Sequence, residues 1–257
     1  MAISLPQNST KTLPVLGSFS KGAEGSCSLS FCTSGGKFCD RRCPHHPQST
    51  VPDATRACYA VRTERRPDRQ QLRDKLACHE RTDPALLVVR ALLEVQKMVK
   101  TGQRPCWMRI STSGSVPNPS QASWAFLYGL RGLMALCNEH GIPVHFPIET
   151  AEKTAFYRDA LQQLCVVRES LANEHQLLTA GGPVAFTAGR RDQTRVERVE
   201  ECQRLAKARF HHTGRRTLIC PAIKSRFWNH NQVDPRFKCG KCRACACRSL
   251  DILYCLH

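Results

Sequence analysis

Hydrophobic and polar positions alternate in two different ways along this chain. From residue 1 to about residue 60 there is almost no hydrophobic periodicity, and Ser, Gly, Pro and Cys dominate. Such a segment lacks the apolar stripe that would fold it against a core, and a metal held by its cysteines would serve instead. The pattern then changes. In "DPALLVVRALLEVQKMVK", Leu86, Val89, Leu92, Leu93 and Met98 recur near helical spacing. Asp83 and Pro84 open that helix and Gly102 closes it.

A repeated alternation follows. "PCWMRIS" reads as a short buried strand, and "NPSQASWAFLYGLRGLMALCNEHG" as a helix capped by Asn118, with Pro119 at its first position and Gly141 at its end. "IPVHFPIET" is strand-like, "EKTAFYRDALQQL" helix-like, and "CVVRES" and "GPVAFTAG" strand-like. "DQTRVERVEECQRLAKARF" places Val196, Val199 and Leu205 on one helical face, and "RTLICP" is a last short strand. Strands of four to six residues alternating with helices predict βα units around a parallel sheet. The expected fold is therefore α/β, an incomplete (β/α) barrel-like or open parallel sheet with Cys-rich, metal-stapled segments at both ends. Residues 1–60 form the N-terminal metal-binding segment, 61–220 the α/β core and 221–257 a metal-binding tail, all packed as one domain. In such a sheet the working site lies at the C-terminal ends of the strands. Cys220 ends the strand "TLIC" there, within reach of the tail.

Charge and cysteine content add chemistry to this frame. The chain has 257 residues, a net charge of +17 and 16 cysteines. A surplus of that size favours a polyanion, so nucleic acid is a possible partner, although the basic residues are dispersed and no recognition motif specifies one. No run of about 18 apolar residues occurs, and the N-terminus lacks a signal-peptide pattern, so no membrane association and a cytoplasmic location are expected. In a reducing compartment clustered cysteines bind metal more often than they form disulfides. Ser-His-Asp, P-loop and HExxH patterns are absent, which leaves hydrolase and nucleotide-triphosphatase functions without support.

The cysteines fall into two groups. At the C-terminus, Cys239, Cys242 and Cys245 form a C-x2-C-x2-C run, spacing that turns three thiolates toward one iron–sulfur cube. The remaining ligand of such a cluster is a distant Cys followed by Pro, and Cys220-Pro221 supplies one. Zinc is the competitor, with Cys247, Cys255 and His257 available to complete a site. At the N-terminus, Cys39 and Cys43 are followed by Cys58. Three cysteines can hold a four-iron cluster with one iron open, while Cys27, Cys32, His45 and His46 would instead favour zinc.

These residues carry a resemblance. "CDRRCPHH…CYA", "WMRISTSGS" and "ICPA…KCGKCRAC" resemble a group of phage and plasmid proteins known as gene-product-88-like. More distantly they are similar to radical-SAM-like phage proteins with a compact Cys-x3-Cys-x2-Cys-Tyr-Ala motif. The resemblance spans about residue 25 to residue 247. It implies an incomplete barrel with iron–sulfur clusters on Cys39, Cys43 and Cys58 and on Cys220, Cys239, Cys242 and Cys245. It also implies cofactor contacts from Arg109, Ser113 and Gly114, which match a strand-end R-x-x-x-S-G-D stretch. Two departures stand out: the third N-terminal cysteine follows after fourteen residues instead of two, and Ser115 replaces the Asp.

The expected function is thus that of an iron–sulfur protein of a mobile element, a radical-SAM-like redox enzyme if S-adenosylmethionine binds the open cluster. The alternative is a zinc-stabilised nucleic-acid-binding protein.

Overall fold

The computed structural model describes residues 16–18, 26–29, 41–42, 48–50, 83–110, 116–171, 173–189, 192–228, 234–237 and 239–255. Strands β1 (Leu16–Ser18) and β2 (Ser26–Leu29) precede helix α1 (Pro84–Lys100). Then come β3 (Trp107–Ile110), α2 (Trp124–Glu139), β4 (Val144–Ile148), α3 (Ala151–Leu161), β5 (Val166–Leu171), α4 (Glu174–Thr179), β6 (Val184–Ala188) and α5 (Arg195–Thr213). The chain ends with β7 (Arg216–Ile219), α6 (Pro221–Trp228), the one-turn helix α7 (Cys239–Cys242) and β8 (Leu250–Cys255).

The helices begin where their caps permit. Asp83 accepts a hydrogen bond from the Ala85 N–H at 2.8 Å, with Pro84 at the first helical position. Thr194 and Glu197 form a reciprocal capping box on α5, and Gly214 closes that helix in the left-handed region at φ 68°. The helix expected from Asn118 begins later. Asn118 and Gln121 close a single 3₁₀ turn over Pro119–Gln121, the chain extends through Ala122, and Ser123 caps α2.

The eight strands among the described residues form one sheet in the order β1-β2-β3-β4-β5-β6-β8-β7. Every pairing is parallel except that of β1 with β2. The fold is therefore α/β with a parallel sheet, and the sheet is open, since no pairing joins β1 to β7 among the described residues. Strand alternation separates the two faces. Met108, Ile110, Phe146, Val167, Phe186 and Leu253 point to one side, where they pack with residues of the major helices. Behind that layer, buried Arg209 donates to Asp251 at 2.9 Å, and Arg215 donates to the same carboxylate at 3.1 Å.

The opposite, inner face carries Trp107, Arg109, His145, Arg168, Leu218, Ile252 and Tyr254. Trp107 and Leu218 line one small cavity, although β3 and β7 are five steps apart in the sheet order. A flat sheet would separate them by about 24 Å, so the sheet curls. Strand order also accounts for what covers this face. From β2 to β6 the chain steps one way across the sheet, and right-handed crossovers place those helices on the outer side. The step from β7 back to β8 reverses direction, which sends a right-handed connection over the inner side. Residues 243–249, the last part of that connection, lie against the inner face.

Candidate metal centre

A buried arginine helps to hold the cysteine segment on the inner face. Arg168 lies in β5 and is fully buried. Its guanidinium donates to the carbonyls of Cys245 at 2.9 Å, Cys247 at 2.6 Å and Leu250 at 2.5 Å, with a longer contact to Val184 O at 3.4 Å. A buried guanidinium must find acceptors for its fan of donors, and here it finds them in the backbone that carries the thiols. The segment itself turns sharply. Cys239 and Cys242 begin and end α7, three residues apart, and Arg243 follows in the left-handed region at φ 52°. The 3₁₀ turn Ala244–Ala246 then brings Cys245 under the sheet.

Cys220 arrives from the other direction. It follows β7, donates its N–H to Leu253 O at 2.7 Å, and accepts at its own carbonyl from the Lys224 N–H at 3.0 Å. Strand pairing and the start of α6 thus fix its backbone. Cys220, Cys242 and Cys245 line one cavity with Trp107, Leu218 and Ile252. Its volume is about 20 Å³, roughly the room one water needs.

The electrostatics of the site are mixed. Burial raises the pKa of Cys245, opposed by its hydrogen bond with Tyr254 (Sγ···Oη 3.4 Å) and by the charges of Arg168 and Arg109. Burial pushes the Tyr254 phenol well above its usual range, and the thiols of Cys245 and Cys220 add to the effect. Cys247 shifts the other way, chiefly because the Ser249 hydroxyl lies 3.2 Å from its sulfur. A cation at the cavity would favour the thiolates that burial disfavours.

In kind, then, the donors fit a thiolate-bound metal. Three cysteines border one cavity, and two guanidinium charges stand near enough to stabilise the Cys245 thiolate. Among the described residues, however, no three Cys, His, Asp or Glu side chains converge on one point. The Cys239 side chain lies outside the described residues.

The other sequence-derived positions fall in three places. Cys39, Cys43, Cys58, Ser113 and Gly114 lie outside the described residues. Arg42, between Cys39 and Cys43 in the sequence, is described. It donates to Asn118 at 3.2 Å and forms an ion pair with Glu152 at 3.3 Å, both beyond the C-terminal ends of β3 and β4. Arg109 stands on the inner face, registered with His145, and its charge acts on Cys245 and Tyr254. Cys255 lies on the outer face of β8, buried against Cys202 with 3.0 Å between the sulfurs. The sheet therefore separates it from Cys245. Just after β4, Glu149 pairs with buried Lys153 at 2.5 Å and Thr150 caps α3.

Arg168 and Tyr254 are the parts of the site that sequence patterning missed. Arg168 falls within the strand-like stretch "CVVRES", as β5 confirms, but nothing in that stretch shows that it anchors the cysteine loop. The available signal was an arginine interrupting an apolar strand, which demands a buried partner. No family model, curated protein or solved structure matches this chain. Among the described residues, no helix is long and apolar enough to cross a membrane.

Proposed function

We propose that this chain is an iron–sulfur protein whose C-terminal cluster is held by Cys220, Cys239, Cys242 and Cys245. The observation that carries the reading is the shared cavity: Cys220, nineteen residues before Cys239 in the sequence, lines the same cavity as Cys242 and Cys245. Cysteines placed only to fill a core would have no reason to gather on the inner face beneath a loop tethered by a buried arginine. Such a cluster supplies one-electron transfer when bound. The chain's own part is to seat the thiolates: Arg168 fixes the loop, Arg109 and Arg168 offset negative charge, and Tyr254 donates toward Cys245.

A second cluster on Cys39, Cys43 and Cys58, with Arg109, Ser113 and Gly114 toward S-adenosylmethionine, follows from the resemblance to radical-SAM-like proteins of phages and plasmids. Arg42 supports that reading, because its own side chain contacts Asn118 and Glu152 beyond the strand ends, where α/β sheets bind ligands. A reducing, cytoplasmic setting would keep the thiols available.

The test is to purify the chain without oxygen and measure iron, acid-labile sulfide and zinc. The reading expects iron and sulfide in the native chain and a fall in both in Cys220→Ala and Cys242→Ala. Zinc without sulfide would replace it with a zinc-stapled protein, and nucleic-acid binding that weakens steeply with salt would then account for the +17 charge. Absence of both metals would sink it.

A further inference from the structure

Next to the cysteine cavity, with which it shares Leu218, Pro221 and Phe237, a groove of about 800 Å³ runs between α5, α6 and strand β7. Its floor is Thr217, Leu218 and Ile219, three consecutive strand residues. Consecutive side chains of a strand point to opposite faces. A groove that touches all three must therefore look onto the edge of the strand, where the backbone is exposed. β7 is that edge: it is last in the sheet order and pairs only with β8 among the described residues. Cys220 N–H donates toward β8. By the alternation of a parallel ladder, the N–H and C=O groups of Thr217 and Ile219 point outward, toward the groove. The buried Thr217 hydroxyl also lacks a hydrogen-bond partner among the described residues.

The rim decides what would fit. Lys207 on α5 and Lys224 on α6 both line the groove, and no carboxylate lines it among the described residues. Neither lysine forms an ion pair among the described residues. Phe237 closes one end, with the Arg236 guanidinium 5.7 Å from its ring centroid. A nucleic-acid strand would find one aromatic ring and no array of bases to stack on it, whereas an extended peptide would find an open strand edge. The chain's own surplus of basic residues makes its other segments poor company for two lysines.

We propose that β7 is a docking edge for an extended, acidic peptide of another protein. The peptide adds as a ninth strand beside β7, and its alternate carboxylates meet Lys207 and Lys224. Backbone pairing supplies the fit, and charge selects the partner.

The test uses the full chain and a labelled heptapeptide of alternating Val and Glu. Two versions carry N-methyl groups on one or the other alternate set of amides. The proposal expects saturable binding that weakens with salt, loss of about tenfold or more in affinity for one methylated version only, and a comparable loss in Lys207→Glu/Lys224→Glu. That variant should bind the Val–Lys heptapeptide better than the native chain does. Both lysines are at the surface of the groove, and an unchanged thermal melt shows that the variant folds. Equal binding of the two methylated versions overturns strand pairing. Tighter binding of oligothymidine at the same lysines reassigns the groove to nucleic acid. No binding of the unmodified peptide at millimolar concentration removes the proposal.

Discussion

His145 shows how far the inner face departs from ordinary solution chemistry. It lies on β4, registered with Arg109, and its ring sits 5.9 Å from that of Trp107. Its Nε2 is buried with no hydrogen-bond partner among the described residues. Burial first, then the charges of Arg109 and Arg168, hold its pKa well below the usual 6.5. The folded protein therefore keeps His145 neutral where the unfolded chain would protonate it. Below the unfolded value the unfolded state binds more protons, so stability is lost as pH falls from about 6.5, by at most about 1.4 kcal/mol per pH unit. Above that pH the residue has no effect on the slope. Urea unfolding of the native chain and of His145→Gln checks this. The native chain should lose stability relative to the variant between about pH 6.5 and pH 5.5, and a constant difference would refute a neutral buried His145.

Strand β8 assigns the cysteines to separate jobs. Ile252 and Tyr254 face the inner cavity side, while Asp251, Leu253 and Cys255 face the helices. Cys255 contacts Cys202, and that hydrogen bond is the main reason its pKa falls while that of Cys202 rises. Cys255→Ala should thus leave metal content unchanged and cost about 1–2 kcal/mol from the small void it opens. Cys245→Ala should lose metal as well as stability, since its buried thiol also faces the Tyr254 hydroxyl. Equal metal loss in the two variants, measured beside their melting curves, would contradict the division by faces. This strand was hard to read in the sequence. "LDILYC" follows directly on four cysteines, and Asp251 breaks its apolar run, so neither alternation nor continuity marks it. The charge of Asp251 makes sense only once Arg209 and Arg215 arrive from α5 and the turn after it. By contrast β3, β4, β6 and β7 were legible, because each is a short apolar run between helix signals. The short helix α4 was not, having only Leu177 buried to show for its face.

At the scale of the whole molecule, the C-terminal segment belongs to the sheet: it crosses the inner face and returns as a strand between β6 and β7. The proximity of Cys220 to the tail was readable from the Cys-Pro after a strand. The reason for it was not, because strand order is a property of the assembled sheet that no local spacing records. Arg168 joins these parts, bridging β5 to the loop carbonyls and to the start of β8. Arg168→Lys keeps the charge but offers a single ammonium in place of a planar fork, so carbonyls of both the loop and β8 lose their donor. The expected cost is about 3–5 kcal/mol, as for other buried charges stripped of partners. The same substitution should also weaken metal retention, because binding energy would then be spent on ordering a loop that Arg168 orders beforehand. The decisive comparison is the rise in melting temperature on anaerobic loading with iron and sulfide. The native chain should gain stability at lower metal concentration than Arg168→Lys, and Cys220→Ala should gain least. If Arg168→Lys melts lower yet loads at the same concentration as the native chain, the arginine holds the fold together without shaping the site, and the thiols rely on the strand ends alone for their placement.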